Sequence, residues 1–150
     1  MVERIKAGVA AGAVGTVAIN VVSTLDMAVR GRPPSTLPGE VAQRLATRAG
    51  ISLGQGEQAE HRREALGALA GYPTGALIGA AYGFAYPVAR HLPPRWRSAA
   101  VGLAAMTATD GVSAALGATD PRTWSAADWA SDIVPHLAYG AGTVRSFERF

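Results

Sequence analysis

The 150-residue sequence contains no cysteine, a single lysine and few charged side chains of either sign. Without cysteine the protein has no disulfide, no thiolate zinc site, no iron–sulfur cluster and no cysteine nucleophile. Charged residues make up 17% of the chain, whereas an average soluble domain has about 25%. Apolar residues make up 49%, and the mean hydropathy is positive at +0.14. The length suits one domain, and the composition favours a membrane environment.

The few charges are segregated, which leaves long uncharged stretches at residues 7–25 and 65–89. About 20 helical residues cross a hydrocarbon core roughly 30 Å thick. Two later stretches each contain one acidic residue, Asp110 and Asp132. We therefore predict one all-α, multi-pass membrane domain over residues 1–150, with four transmembrane helices at about 5–29, 64–89, 98–118 and 125–146. Ser125 and Asp128 form a capping-box pattern that predicts the start of the last helix.

Two other interpretations of the long stretches are weaker. A cleaved signal peptide requires a small-x-small site, and residues 22–26 contain none. A soluble alanine-rich domain is disfavoured because an uncharged helix of 25 residues with proline and glycine suits a bilayer better than water. The first segment is therefore predicted to be an uncleaved anchor, and the protein is predicted to lie in the plasma membrane.

Arginine and lysine are distributed in a way that bears on orientation. Cytoplasmic loops carry an excess of these residues. Arg4 and Lys6 precede the first segment, three arginines lie between the second and third segments, and the connection before the fourth is acidic. The long first loop is also rich in arginine, but its own acids offset that charge. We predict that both termini are cytoplasmic.

The first loop, about residues 30–63, contains a second kind of helix. It opens with a proline-rich stretch and continues into a predicted amphipathic helix at 40–49, with Val41, Leu45 and Ala49 on one face. Such a helix lies on the membrane surface, on a partner, or over the ends of its own bundle. The sequence leaves these alternatives open.

The second segment carries the strongest pattern, a glycine at every fourth position. Overlapping G-x-x-x-G units on one helix face allow another helix to approach closely. The facing helix is either the first segment, where Gly8 and Gly12 form a smaller match, or a helix of another chain. A groove for a lipid tail or a quinone is a third interpretation. The predicted helix-packing residues are Gly67, Gly71, Gly75, Gly79 and Gly83.

Ionisable residues inside membrane segments are candidates for function. Asp110 and His136 fall at similar depths if the last two helices are antiparallel, and Asp132 lies one turn before His136. One interpretation is a hydrogen-bonded Asp110–His136 pair that fixes helix register. Another is a proton path that leads from Asp132 toward the middle of the bilayer. A metal site is disfavoured because one histidine is few ligands for a transition metal.

No enzyme motif is present: the sequence lacks G-x-S-x-G, H-E-x-x-H, a Walker loop and a dinucleotide fingerprint. Basic patches with interleaved aromatic residues are also missing, so nucleic-acid binding is not expected. We predict that the protein is not an enzyme and holds no cofactor or metal.

Three segments carry a family resemblance: DMAVRGRP at 26–33, TDPRTWSAADW at 119–129 and VPHLAYG at 134–140. With these segments the chain resembles, over nearly its full length, small four-helix membrane proteins of actinobacteria, a group with no assigned activity. The resemblance implies a location and a lineage, but no roles for individual residues.

Two functions fit these observations. The first is an accessory or assembly subunit of a larger bacterial membrane complex. Such a subunit lies in the lipid bilayer and packs its helices against those of other membrane subunits or of a second copy of itself. The alternative is a small homodimeric proton-coupled transporter or carrier that uses Asp110 and His136.

Overall fold

The computed structural model describes residues 1–150 and consists of helices, with no strand. The all-α prediction is therefore confirmed. The five α-helices are α1 (Val2–Arg30), α2 (Leu37–Arg48), α3 (Gly56–Ala89), α4 (Pro94–Ala115) and α5 (Ala126–Phe147), and a short 3₁₀ turn lies at Pro121–Thr123.

Local sequence explains where several helices begin and end. Gly31, at φ 62°, ends α1 because glycine adopts the left-handed conformation without a steric penalty. Ser125 and Asp128 make both hydrogen bonds of the predicted capping box at the start of α5. Pro87 lies inside α3, which continues to Ala89, so this proline does not terminate the helix.

The helices form a bundle in which α1 and α5 have two long-helix neighbours each. Helix α1 packs antiparallel between α3 and α5, and α5 packs antiparallel between α1 and α4. Helices α3 and α4 touch only slightly. The two longer connections lie together at what we call the loop end. The termini and the short α3–α4 turn lie at the opposite end, the terminal end.

Helix α2 lies over the loop end of its own bundle, which is one of the three alternatives left by the sequence. Its start lies against α3, and the Arg44 side chain donates a hydrogen bond to the Leu116 carbonyl oxygen at 3.2 Å. On the predicted apolar face Leu45 and Ala49 are exposed, whereas Val41 is half-buried, so this face packs only near the start of the helix.

Much apolar surface remains outside the bundle. Only 24 of 150 residues are buried, and the accessible surface is 9129 Å², whereas a compact soluble protein of this mass exposes about 7,200 Å². Large apolar side chains such as Val17, Leu77 and Phe84 are more than half exposed.

One helix, α1, is long and apolar enough to cross a membrane by its length and composition. This criterion does not support the other three predicted crossings. Glycine, proline and tyrosine lower the mean hydropathy of α3, and polar residues such as Asp110 and Asp132 lower that of α4 and α5. Only 28% of the apolar window of α1 is buried, although the helix lies between two others. Its remaining surface faces away from the bundle.

Candidate functional site

Three glycines of the predicted stripe lie against the backbone of α1. A Cβ atom placed on Gly79 would lie 2.6 Å from the Cα of Gly12, and one on Gly83 would lie 3.3 Å from the Cα of Gly8. At Gly75 the added atom would collide with the side chain of Thr16. Helices α1 and α3 therefore meet backbone to backbone over successive turns, which only glycine permits.

The other two glycines of the stripe have different surroundings. A Cβ atom on Gly67 would lie 2.6 Å from the carbonyl carbon of Pro38, so this glycine accommodates α2. Gly71 has no other atom within 4 Å of that position. The five glycines are evenly spaced on one helix face, but three of them contact α1, one contacts α2 and one contacts neither helix.

Sequence reasoning missed the glycines at the other helix contacts. A Cβ atom on Gly102 of α4 would lie 2.5 Å from the His136 carbonyl oxygen, and one on Gly140 of α5 would lie 2.6 Å from the Gly102 nitrogen. On the α1–α5 contact, Gly142 lies against Ala18. These glycines are isolated in sequence and form no repeat, so no pattern distinguishes them.

Asp110, Asp132 and His136 come together between α4 and α5, and we call them the ionisable cluster. The His136 Nδ1 atom lies 2.9 Å from the Asp132 carbonyl oxygen and 3.3 Å from its Oδ1 atom. The Nε2 atom lies 3.4 Å from the Thr109 hydroxyl. Asp110 interacts with both Asp132 and His136. The ion pair of His136 is therefore with Asp132, whereas one interpretation of the sequence paired it with Asp110.

The ionisable cluster borders a polar cavity of about 390 Å³ at the loop end. Asp132, Asp128 and Ser131 line one side of this cavity, and Arg30 and Arg32 line the other. The Asp26 carboxylate accepts hydrogen bonds from both arginines, and Arg30 also donates to the Ser131 hydroxyl at 2.5 Å. The cavity thus has one basic wall and one acidic wall. No group of three or more His, Asp or Glu side chains is arranged to hold a metal ion.

Polar side chains continue from the cluster through the interior to the terminal end. The Tyr139 hydroxyl donates to the Gly75 carbonyl oxygen at 2.7 Å, and Thr143 beside it is completely buried. At the terminal end the Arg97 side chain is 7% exposed and bonds to Glu148 at 2.5 Å. We call this set the polar row: Asp132, His136, Tyr139, Thr143, Tyr82, Arg97 and Glu148.

Part of the polar row carries a signal in the sequence. Asp132, His136, Tyr139 and Thr143 are spaced by four, three and four residues, which places them on one helix face. Arg97, in contrast, lies among the arginines of a short connection, and nothing in its sequence context indicates burial.

The chain has no match among protein families, curated proteins or solved structures.

Proposed function

We propose that the chain is a multi-pass protein of the bacterial plasma membrane in which α1, α3, α4 and α5 all cross the bilayer. A helix of 22 residues, the length of α4 and of α5, spans about 33 Å. The large exposed apolar side chains on these helices suit lipid better than water. Arginine and lysine number seven at each end of the bundle. We place the termini in the cytoplasm because most of the arginines at the loop end lie in the long first loop, which weighs less in orientation.

Within that membrane, we propose that the protein is a non-enzymatic accessory or assembly subunit of a larger complex. The observation that carries this proposal is the free face of α4. This helix packs along α5 but has little contact with α3. Its outward face has a strip of small exposed residues, flanked by the exposed Leu103 and Val112; the strip consists of Ala100, Ala104, Thr107 and Gly111.

A strip of small residues is a poor surface for lipid and a good one for another helix. Small side chains allow close helix contact in a bilayer, where apolar burial gives no drive between helices. Gly111 has no atom within 4 Å of its Cβ position, so this chain fills none of that space. Contact with another chain, one of the two roles considered for the α3 glycines, is accordingly assigned to α4.

The α4 assignment predicts the effect of a bulky residue at Gly111. We expect the parent protein, extracted from its native membrane in mild detergent, to show a native mass above that of the monomer, owing to a second copy or to another protein. Gly111→Leu should reduce that mass to the monomer because leucine fills the contact groove.

The matched control for Gly111→Leu is Ala81→Leu, an exposed α3 position beside Leu77 and Phe84. This variant should keep the parent mass because it adds a lipid-like side chain to an apolar face. A monomeric parent with no co-purifying protein would contradict the subunit role.

The ionisable cluster favours a second candidate function, a small homodimeric proton-coupled carrier. The proximity of Asp110 to Asp132 and His136, next to a polar cavity, is an arrangement found in proton relays. In this case Asp110→Asn should abolish proton uptake into proteoliposomes while the protein still reaches the membrane. If the cluster only fixes helix register, the same substitution should instead reduce the amount of assembled protein.

A further inference from the structure

The interior contains five buried side-chain polar atoms that have no hydrogen-bond partner. Buried polar groups are normally hydrogen-bonded to protein or to ordered water, so each exception requires an explanation. All five belong to the polar row: Asp132 Oδ2, Thr143 Oγ1, Tyr82 OH, and the Nε and NH1 atoms of Arg97. Other interior hydroxyls, such as those of Thr16 and Ser113, donate to carbonyl groups of their own helices.

The polar row extends over the length of the bundle. Asp132 and Glu148 are sixteen positions apart on or just after α5, which corresponds to about 24 Å along the helix axis. A hydrocarbon core is roughly 30 Å thick. The row therefore covers most of the distance between the two faces of a bilayer.

Residues from three other helices lie beside the row along its length. Thr109 and Asp110 of α4 lie beside His136 at the loop end. In the middle, Thr143 lies next to Tyr139, whose hydroxyl reaches α3. Helix α1 contributes Gly15, at which a Cβ atom would collide with the Thr143 hydroxyl.

The terminal part of the row is aromatic and basic. The Tyr82 ring packs edge-on against Phe147, with ring centres 5.1 Å apart. The guanidinium carbon of Arg97 lies 5.8 Å from the centre of the Tyr86 ring. Tyr82 thus lies beside the Arg97–Glu148 ion pair, and the Phe147 ring that it contacts is one helical turn after Thr143 on α5.

Both ends of the row reach solvent. Asp132 lines the cavity at the loop end, whose rim also holds the charged groups of Asp128, Arg30 and Arg32. At the terminal end the Glu148 side chain is 33% exposed. The row thus has solvent at each end and unpaired polar atoms along its length.

We propose that water molecules bind the five unpaired atoms in single file and that the polar row conducts protons across the bundle between Asp132 and Glu148. The proposal rests on the four-crossing membrane placement and extends the carrier function from the ionisable cluster to the opposite face. A proton from solvent binds the Asp132 carboxylate and passes to the first water, each water accepts one proton and passes one on to the next, and the Glu148 carboxylate receives the last proton and releases it to solvent. Nothing is oxidised or reduced.

Arg97 does not itself pass protons, because a guanidinium group stays protonated in proteins. Its charge keeps the Glu148 side chain at the end of the row through their ion pair. The titratable groups that face the row are Asp110 on α4, Tyr86 on α3, and His136 within the row itself.

The test measures proton uptake by proteoliposomes that contain the purified protein and a trapped pH-sensitive dye. A potassium gradient with valinomycin supplies the driving voltage. The parent protein should acidify the vesicles faster than protein-free vesicles. Thr143→Val should reduce the rate about tenfold, which corresponds to a barrier increase of about 1.4 kcal/mol. Tyr82→Phe, which removes another hydroxyl of the row, should reduce it similarly.

The matched control is Thr74→Val, because the Thr74 hydroxyl donates to the Ala70 carbonyl of its own helix and lies outside the row. This variant should conduct as the parent does. An unchanged rate in both Thr143→Val and Tyr82→Phe would overturn the proposal, as would an equal loss in Thr74→Val. If Asp110→Asn loses conduction while Thr143→Val conducts at the parent rate, the result would support the carrier function and contradict conduction along the polar row. Size-exclusion chromatography of each variant separates loss of conduction from loss of folding.

Discussion

The variant Gly79→Ala is expected to unfold at a lower temperature than the parent protein, whereas Gly71→Ala is expected to unfold at a higher one. The two positions are two helical turns apart on the same face of α3, and the substitution is the same. At Gly79 the new methyl group would lie 2.6 Å from the Cα atom of Gly12. Overpacking of a core costs about 1–3 kcal/mol, and here the obstacle is backbone, so we expect the upper part of that range.

Gly71→Ala is the matched control because its Cβ atom meets nothing within 4 Å. Alanine is more favourable than glycine inside a helix by about 1 kcal/mol, and this gain should appear undiminished at an open position. Thermal unfolding followed by circular dichroism in one detergent measures both effects. A Gly79→Ala variant as stable as the parent would show that α1 and α3 are not in backbone contact.

Glu148→Gln is expected to cause the second large loss of stability. The substitution leaves the Arg97 guanidinium, which is 7% exposed, without its counter-ion. Removing one partner of a buried ion pair costs about 3–5 kcal/mol. Because Glu148 is itself 33% exposed, water compensates part of the change, and we expect the lower end of that range.

Two comparisons make the Glu148→Gln result specific. Glu3→Gln removes a partner of the Lys6–Glu3 pair, whose side chains are 68% and 85% exposed, and a surface pair of this kind contributes less than about 1 kcal/mol. The double variant with Arg97→Met and Glu148→Gln leaves no buried charge and should regain most of the lost stability. If the double variant is no more stable than Glu148→Gln alone, desolvation of the arginine is not the cause of the loss.

Local patterns determined which parts of the chain are helical and how some helices begin. The uncharged runs at 7–25 and 65–89 lie inside α1 and α3, and the capping box at Ser125 begins α5. Helical periodicity also places Asp132, His136 and Thr143 on one face before any contact is known. These features depend on residues within one or two turns of each other, so the sequence by itself contains them.

The neighbours across each helix contact were decided only by the tertiary structure. Periodicity indicates that Gly71 and Gly79 share a face, but α1 contacts that face at Gly79 and not at Gly71. Similar depth suggested Asp110 as the partner of His136, whereas the shorter contact is with Asp132 on the same helix. Arg97 has the sequence context of a surface arginine, and it is buried because Glu148 and two tyrosines of another helix surround it. Such contacts depend on how helices cross and diverge, which involves residues far apart in the chain and leaves no local pattern.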